Sequence, residues 1–157
     1  MSELNIEQVE KSIELLKPNN ELYEIRIMQG SGKRKNIISG YFKGTKNLKN
    51  AFSTIDLRRA NVFYTLNKIN DGCYSREQHE KFLQIDDTTS DSDIVAYEWL
   101  LVDVDPKRNS GISSTDAELK AAQKTAEKIK NFLCKTKEFK EPIVALSGNG
   151  CHLLFRV

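Results

Sequence analysis

The chain has only three cysteines, Cys73, Cys134 and Cys151, and no two of them form a CxxC pair. An odd count with that spacing argues against a disulfide framework and fits a reducing compartment, so a cytoplasmic location is expected. No apolar stretch approaches the roughly 18 residues that a membrane span requires. The opening MSELNIEQVEKSIELLKP carries acids where a signal peptide carries basic residues, so neither export nor a membrane partner is expected. Net charge is scarce as well: 24 basic against 22 acidic residues leave +2, too little for the whole-chain balance to argue for a polyanion partner. There is no internal repeat and no low-complexity tract. The acids of DDTTSDSD lack the D-x-D-x-D-G spacing of a calcium loop, and a zinc set drawn from Cys134, Cys151, His79 and His152 has poor ligand spacing.

What is present is an ordinary globular composition, with 29% charged and 39% hydrophobic residues in 157. That excludes the disordered and collagenous classes and predicts one domain over residues 1–157, large enough to bury about two-thirds of its unfolded surface. Ile6, Val9, Ile13 and Leu16 recur at helical spacing, and KPNN closes that helix. LYEIRIM alternates as a half-buried strand and pairs with IISGYF in a hairpin whose loop carries Lys33, Arg34 and Lys35. A helix is predicted within 45–58 and a strand at NVFYTLN. Its Phe63 and Tyr64 belong to the core by the usual rule for strand aromatics, with stacking on a base as the alternative. Residues 70–93 read as a polar surface connection, ordered by Asp and Thr side chains.

From Glu98 the pattern is strand, helix, strand: EWLLVDVD, then SSTDAELKAAQKTAEKIKNFLCK with Ser114 or Thr115 as N-cap, then PIVALS. Such a unit normally makes a parallel crossover. A tight GNG turn and CHLLFRV follow. WLLVDVD reads as a buried strand, where carboxylates are costly. Asp103 and Asp105, two apart, share one face at roughly 6.6 Å between Cα atoms. Like charges so placed call for a cation between them, and Mg²⁺ or Mn²⁺ takes hard oxygen ligands of this type. The alternative is a pair of acids tying down the next loop through Lys107 or Arg108. In SGNGCH, glycines flanking Asn149 permit positive φ and bare backbone N–H groups for an anion, although a plain hairpin explains the turn equally well. His152 is placed to reach the same anion, and its alternative is a structural histidine.

Together, WLLVDVDPKRNSGISSTDAELKAA and PIVALSGNGCHLLFRV resemble the archaeo-eukaryotic primase superfamily, in its bifunctional primase–polymerase branch of phages, plasmids and mobile elements. The resemblance extends upstream through LYEIRIM, ISGYF, VFYTLN and TTSDSDI. It implies an α/β (α+β) primase core with an RNA-recognition-like catalytic sheet against an amino-terminal α/β half. It also implies a DNA primase or polymerase performing two-metal nucleotidyl transfer on a single-stranded DNA template with nucleoside triphosphates, alongside a replicative helicase. By position, Asp103 and Asp105 become ligands of Mg²⁺ or Mn²⁺. Ser147, Gly148, Asn149, Gly150 and His152 become the nucleotide pocket, and Lys107 and Arg108 assist phosphate or template. The family pattern carries a third acid downstream of the histidine, whereas this sequence ends at Val157. The site is therefore expected to be incomplete at the carboxyl end and the chain alone poorly active, with Glu98 the one upstream acid on the same strand. The competing expectation is a shortened primase-like protein that binds nucleotide or nucleic acid, or regulates, without polymerising.

Overall fold

The amino-terminal helix forms where its apolar spacing places it: α1 spans Ile6–Leu16, with the Asn5 side chain accepting from the Gln8 N–H at 3.1 Å and Ile13 and Leu16 buried. The computed structural model describes residues 5–30, 36–58, 60–109 and 111–157. The basic loop expected at Lys33, Arg34 and Lys35 lies outside them. Length alone predicts one domain, and backbone contacts group the chain into two units, one up to Ala96 and one from Tyr97 on.

In the first unit, β1 (Leu22–Gln29) and β2 (Asn36–Lys43) form the antiparallel hairpin, in register from Leu22 opposite Lys43 to Gln29 opposite Asn36. Helix α2 covers Leu48–Ser53, and β3 (Ala60–Tyr64) pairs antiparallel with β1. Two short strands follow, β4 (Lys68–Ile69) and β5 (Leu83–Gln84), and then β6 (Ile94–Ala96). The main sheet runs β3-β1-β2-β5, while β4 and β6 make a separate pair. Tyr23, Ile25 and Ile27 point to the helices and bury against Ile13, Phe42, Leu48 and Phe52.

Three expectations change here. The other face of β1 is not simply solvated, because Leu22 packs with Tyr41, Ile69 and Cys73, and Glu24 is also buried. The segment 70–93 is less superficial than its polarity suggests: Cys73 packs on that face with Leu22 and Tyr41, Phe82 joins the helix-side cluster, and Gln78 is buried. The helix predicted within 45–58 shortens to α2. Its end tightens as the Thr54 and Ile55 N–H groups donate to Ala51 and Phe52, and the Asp56 carboxylate then captures the Arg58 N–H at 3.0 Å.

In the second unit, β7 (Trp99–Val104), α3 (Asp116–Thr136), β8 (Ile143–Leu146) and β9 (Cys151–Arg156) follow the predicted order. Thr115 is the N-cap of α3: its hydroxyl accepts from the Glu118 N–H at 3.3 Å while Glu118 accepts from the Thr115 N–H at 2.8 Å, a reciprocal capping box. The sheet order is β7-β9-β8, with β9 antiparallel to both neighbours. Strands β7 and β8 are therefore parallel, as a crossover predicts, but separated by β9. This is a split β-α-β arrangement. One sheet face buries Cys151, Leu153 and Phe155 with Ala126 of α3, and Val102 and Val104 pack there too. The whole is mixed α and β with antiparallel sheets, an α+β architecture. Among the described residues no helix is long and apolar enough to cross a membrane.

Segment 70–93 is held partly by charge, which makes its stability pH-dependent. Asp93 accepts from the Ser90 N–H at 2.8 Å and the Ser90 hydroxyl at 3.0 Å, and pairs with Arg76 at 3.1 Å. These contacts, the Ser90 backbone first, lower its pKa from 3.8 to about 2. A carboxylate with a depressed folded-state pKa contributes fully above its ordinary value and loses that contribution as pH falls through the folded one. Denaturant melts of the full chain at about pH 5 and about pH 3 should show wild type losing more stability on acidification than Asp93→Asn.

Candidate functional site

Along β7 and just past it, exposure alternates: Leu101, Asp103 and Asp105 face solvent while Val102 and Val104 turn toward α3. The run is thus half-buried, not buried as its composition predicts. The reason is that β7 edges a three-stranded sheet with α3 on one face only. Asp103 and Asp105 avoid the desolvation cost that a buried strand would impose; their side chains are 56% and 43% exposed.

Strand pairing sets their neighbours. Asp103 lies opposite His152, which in turn lies opposite Ala145 of β8. His152 Nε2 comes within 3.4 Å of Asp103 Oδ1, an ion pair when the imidazole is protonated. Asp105 Oδ2 lies 3.6 Å from Arg108 Nη2, so the loop-tying role for this acid is realised as one long contact. Arg108 is half-buried, and its Nε has no hydrogen-bond partner among the described residues. Lys107 beside it is exposed.

The β8–β9 turn is built differently from the expected bare cradle. Ser147 Oγ accepts from the Gly150 N–H at 2.9 Å and from the Asn149 N–H at 3.4 Å, and the Ser147 N–H donates to Gly150 O at 3.2 Å. Two amides that could hold an anion are therefore turned onto the serine hydroxyl. Gly148 takes φ +83°, the left-handed conformation that its identity allows. Gly150 serves a different purpose: a Cβ there would lie 2.1 Å from Asp105 Oδ1 and 2.5 Å from Val104 O. Its missing side chain is the space the Asp105 carboxylate occupies.

Sequence reasoning missed how Ser114 serves the site. Its N–H donates to Asn149 Oδ1 at 3.0 Å and its hydroxyl to Asn149 O at 2.6 Å, latching the turn to the entry of α3. The available signal was the pair of hydroxyls in SSTD, of which a helix N-cap needs one. Glu98 does not supplement the aspartates. It pairs with Arg156 at 3.5 Å and stands five residues from Asp103, roughly 16 Å along the strand. Among the described residues no three His, Cys, Asp or Glu side chains gather as a metal-binding group. Cys151 points into the apolar cluster, where burial pushes its thiol pKa up.

The assembled surface is thus a solvent-facing patch of two carboxylates, an imidazole, a guanidinium and a glycine-rich turn, all brought together by the β7–β9 pairing. No family model, no curated protein and no solved structure gives a significant match to the chain.

The tight fit at Gly150 generates a test. Gly150→Ala must displace Val104 or the Asp105 carboxylate, costing about 1–3 kcal/mol in stability as overpacking does. Gly148→Ala meets no atom within 4 Å and bears only the strain of a positive φ. Thermal melts should rank Gly150→Ala as the less stable, and equal losses would show that Asp105 and the Val104 backbone both yield readily.

Proposed function

We propose that this chain is a DNA primase or polymerase module of the phage, plasmid or mobile-element type, carrying out nucleotidyl transfer with Mg²⁺ or Mn²⁺. The observation that carries the reading is the register that sets Asp103 against His152, with Asp105 and the SGNG turn at the same strand end. Neither carboxylate is consumed by a strong structural partner, which leaves hard oxygen donors facing solvent, the ligand type that Mg²⁺ and Mn²⁺ take. The split β-α-β order of the second unit supports an RNA-recognition-like catalytic sheet and, with it, the primase core.

When bound, such an ion lowers the barrier to attack on the α-phosphate by withdrawing charge from its oxygens. The chain's own groups have separable tasks. Asp103 and Asp105 hold negative charge in a fixed position, because β9 restrains one and Gly150 accommodates the other. His152 presents Nε2 beside Asp103, within reach of a phosphate oxygen of a ligand held there. Ser147 can exchange its hold on the turn amides for the same phosphates. Lys107 and Arg108 neutralise the triphosphate or the single-stranded template on the adjoining loop.

A second reading, a nucleotide- or nucleic-acid-binding protein without polymerase activity, has its own support. Two carboxylates and no third stand at the site among the described residues, and the turn amides are engaged by Ser147.

Calorimetric Mn²⁺ titration in the presence of a nucleoside triphosphate separates both from an inert surface. Asp103→Asn with Asp105→Asn should abolish Mn²⁺ binding and leave the fold intact. His152→Ala should weaken triphosphate binding by about 1.5–3 kcal/mol, the range for a charged hydrogen bond. Unchanged Mn²⁺ affinity in the double variant overturns the metal assignment. Labelled-nucleotide incorporation on single-stranded DNA then decides between polymerase and binding protein.

A further inference from the structure

Strand β3 contradicts the usual rule that strand aromatics are core: Phe63 is 50% exposed and Tyr64 37%. Phe63 lies directly opposite Arg26 of β1, so the two side chains rise from one sheet face with Cβ atoms roughly 5 Å apart. That face is the floor of a cavity of about 340 Å³ whose lining includes Arg26, Met28, Phe63, Thr65, Ser90 and Asp91. The volume falls at the small end of the range of about 300–1,000 Å³ for small-molecule sites.

The guanidinium in it is fixed in place. Glu24, 1% exposed, accepts from Arg26 Nη2 at 2.8 Å, from the Ser39 hydroxyl at 2.6 Å and from the Thr89 N–H at 3.2 Å. Arg26 Nη2 also donates to Thr89 O at 2.9 Å. Its Nη1 has no hydrogen-bond partner among the described residues, so a rigid donor edge lies next to a half-exposed ring. The local charge selects against a phosphate, because Glu24 cancels Arg26 and Asp91 adds a negative charge at the lining. The complementary ligand is neutral, planar and aromatic, with a face for Phe63 and acceptors for the guanidinium.

We propose that this cavity holds an unpaired nucleobase of a single-stranded nucleic acid, stacked on Phe63 and hydrogen-bonded by Arg26. The choice of a nucleic-acid strand as the source of that base rests on the function proposed above. The residues lining the cavity all belong to the first unit.

Fluorescence anisotropy with the full chain tests it, using a short labelled oligothymidylate and an abasic oligonucleotide of the same length. Stacking of a base on an aromatic side chain corresponds to roughly 5- to 150-fold in affinity, so Phe63→Ala should weaken oligothymidylate binding within that range while Phe63→Trp retains it. The wild-type protein should show a comparable loss on the abasic strand, an arm that needs no variant to fold. Equal binding of the two strands by wild type, equal affinity of Phe63→Ala and wild type, or no binding of oligothymidylate at all would each overturn the proposal. Mn²⁺–triphosphate binding provides the separating readout. Unchanged Mn²⁺–triphosphate affinity in Phe63→Ala alongside weakened DNA binding is the expected result. Loss of metal–nucleotide binding in wild type with Phe63-dependent DNA binding retained would refute the metal site and leave this cavity standing.

Discussion

The candidate site depends on the register of β9 against β7. With Val104 opposite Cys151 and Val102 opposite Leu153, these four residues and Phe155 fall on the α3 side. Asp103, Asp105 and His152 then fall on the other. A slip of β9 by one residue would exchange its two faces, sending the His152 imidazole into the helix-packed core and turning Leu153 and Phe155 outward. Phe155 and Leu153 are almost completely buried, and fully burying each such side chain stabilises by about 1.5–3 kcal/mol. The core therefore helps place the polar groups: Asp103 meets His152 in the register that buries Leu153 and Phe155 against α3.

Two local devices refine what the register establishes. The Ser114–Asn149 latch joins residues 35 apart in sequence, so the entry of α3 and the β8–β9 turn move together. The contact between Gly150 and Asp105 places the second carboxylate at that same turn. A group rigidly positioned before ligand arrives loses less freedom on binding, which is the physical advantage of building such a patch on strand ends and not on a free loop. Among the described residues, the helix, the turn and the strand that hold the patch all belong to the second unit.

Much of this was legible because the relevant patterns are local. The apolar spacing of α1 and α3, the alternation of β1 and the GNG turn each express a period or a turn chemistry that survives in isolation. Tertiary coverage was not legible. WLLVDVD has the composition of a strand buried on both faces, and only the sheet order shows that α3 shields one of them. Phe63 and Tyr64 carry the composition of a core strand and remain exposed because β3 edges its sheet. Glu24 lies in an alternating polar phase, and its burial follows from residues 39 and 89, far away in sequence. Ser114 and Thr115 are interchangeable as N-caps on paper. Only the position of Asn149 assigns them different tasks.

Strand carboxylates meet two opposite fates in this chain, and the contrast bears on function. Glu24 is removed from water and receives hydrogen bonds from a guanidinium, a hydroxyl and a backbone N–H, as a buried charge must. Its oxygens are satisfied by the protein, so it can act only through Arg26. Asp103 and Asp105 stay in contact with water, and among the described residues their ion-pair contacts are long, 3.4 Å and 3.6 Å. Exposed pairs of that length contribute little to stability, about 0–1 kcal/mol. A merely structural pair of acids has little reason to be held so closely by register, by a glycine and by a latched turn while contributing so little to the fold. The oxygens that the protein leaves unsatisfied are the ones able to bind something else.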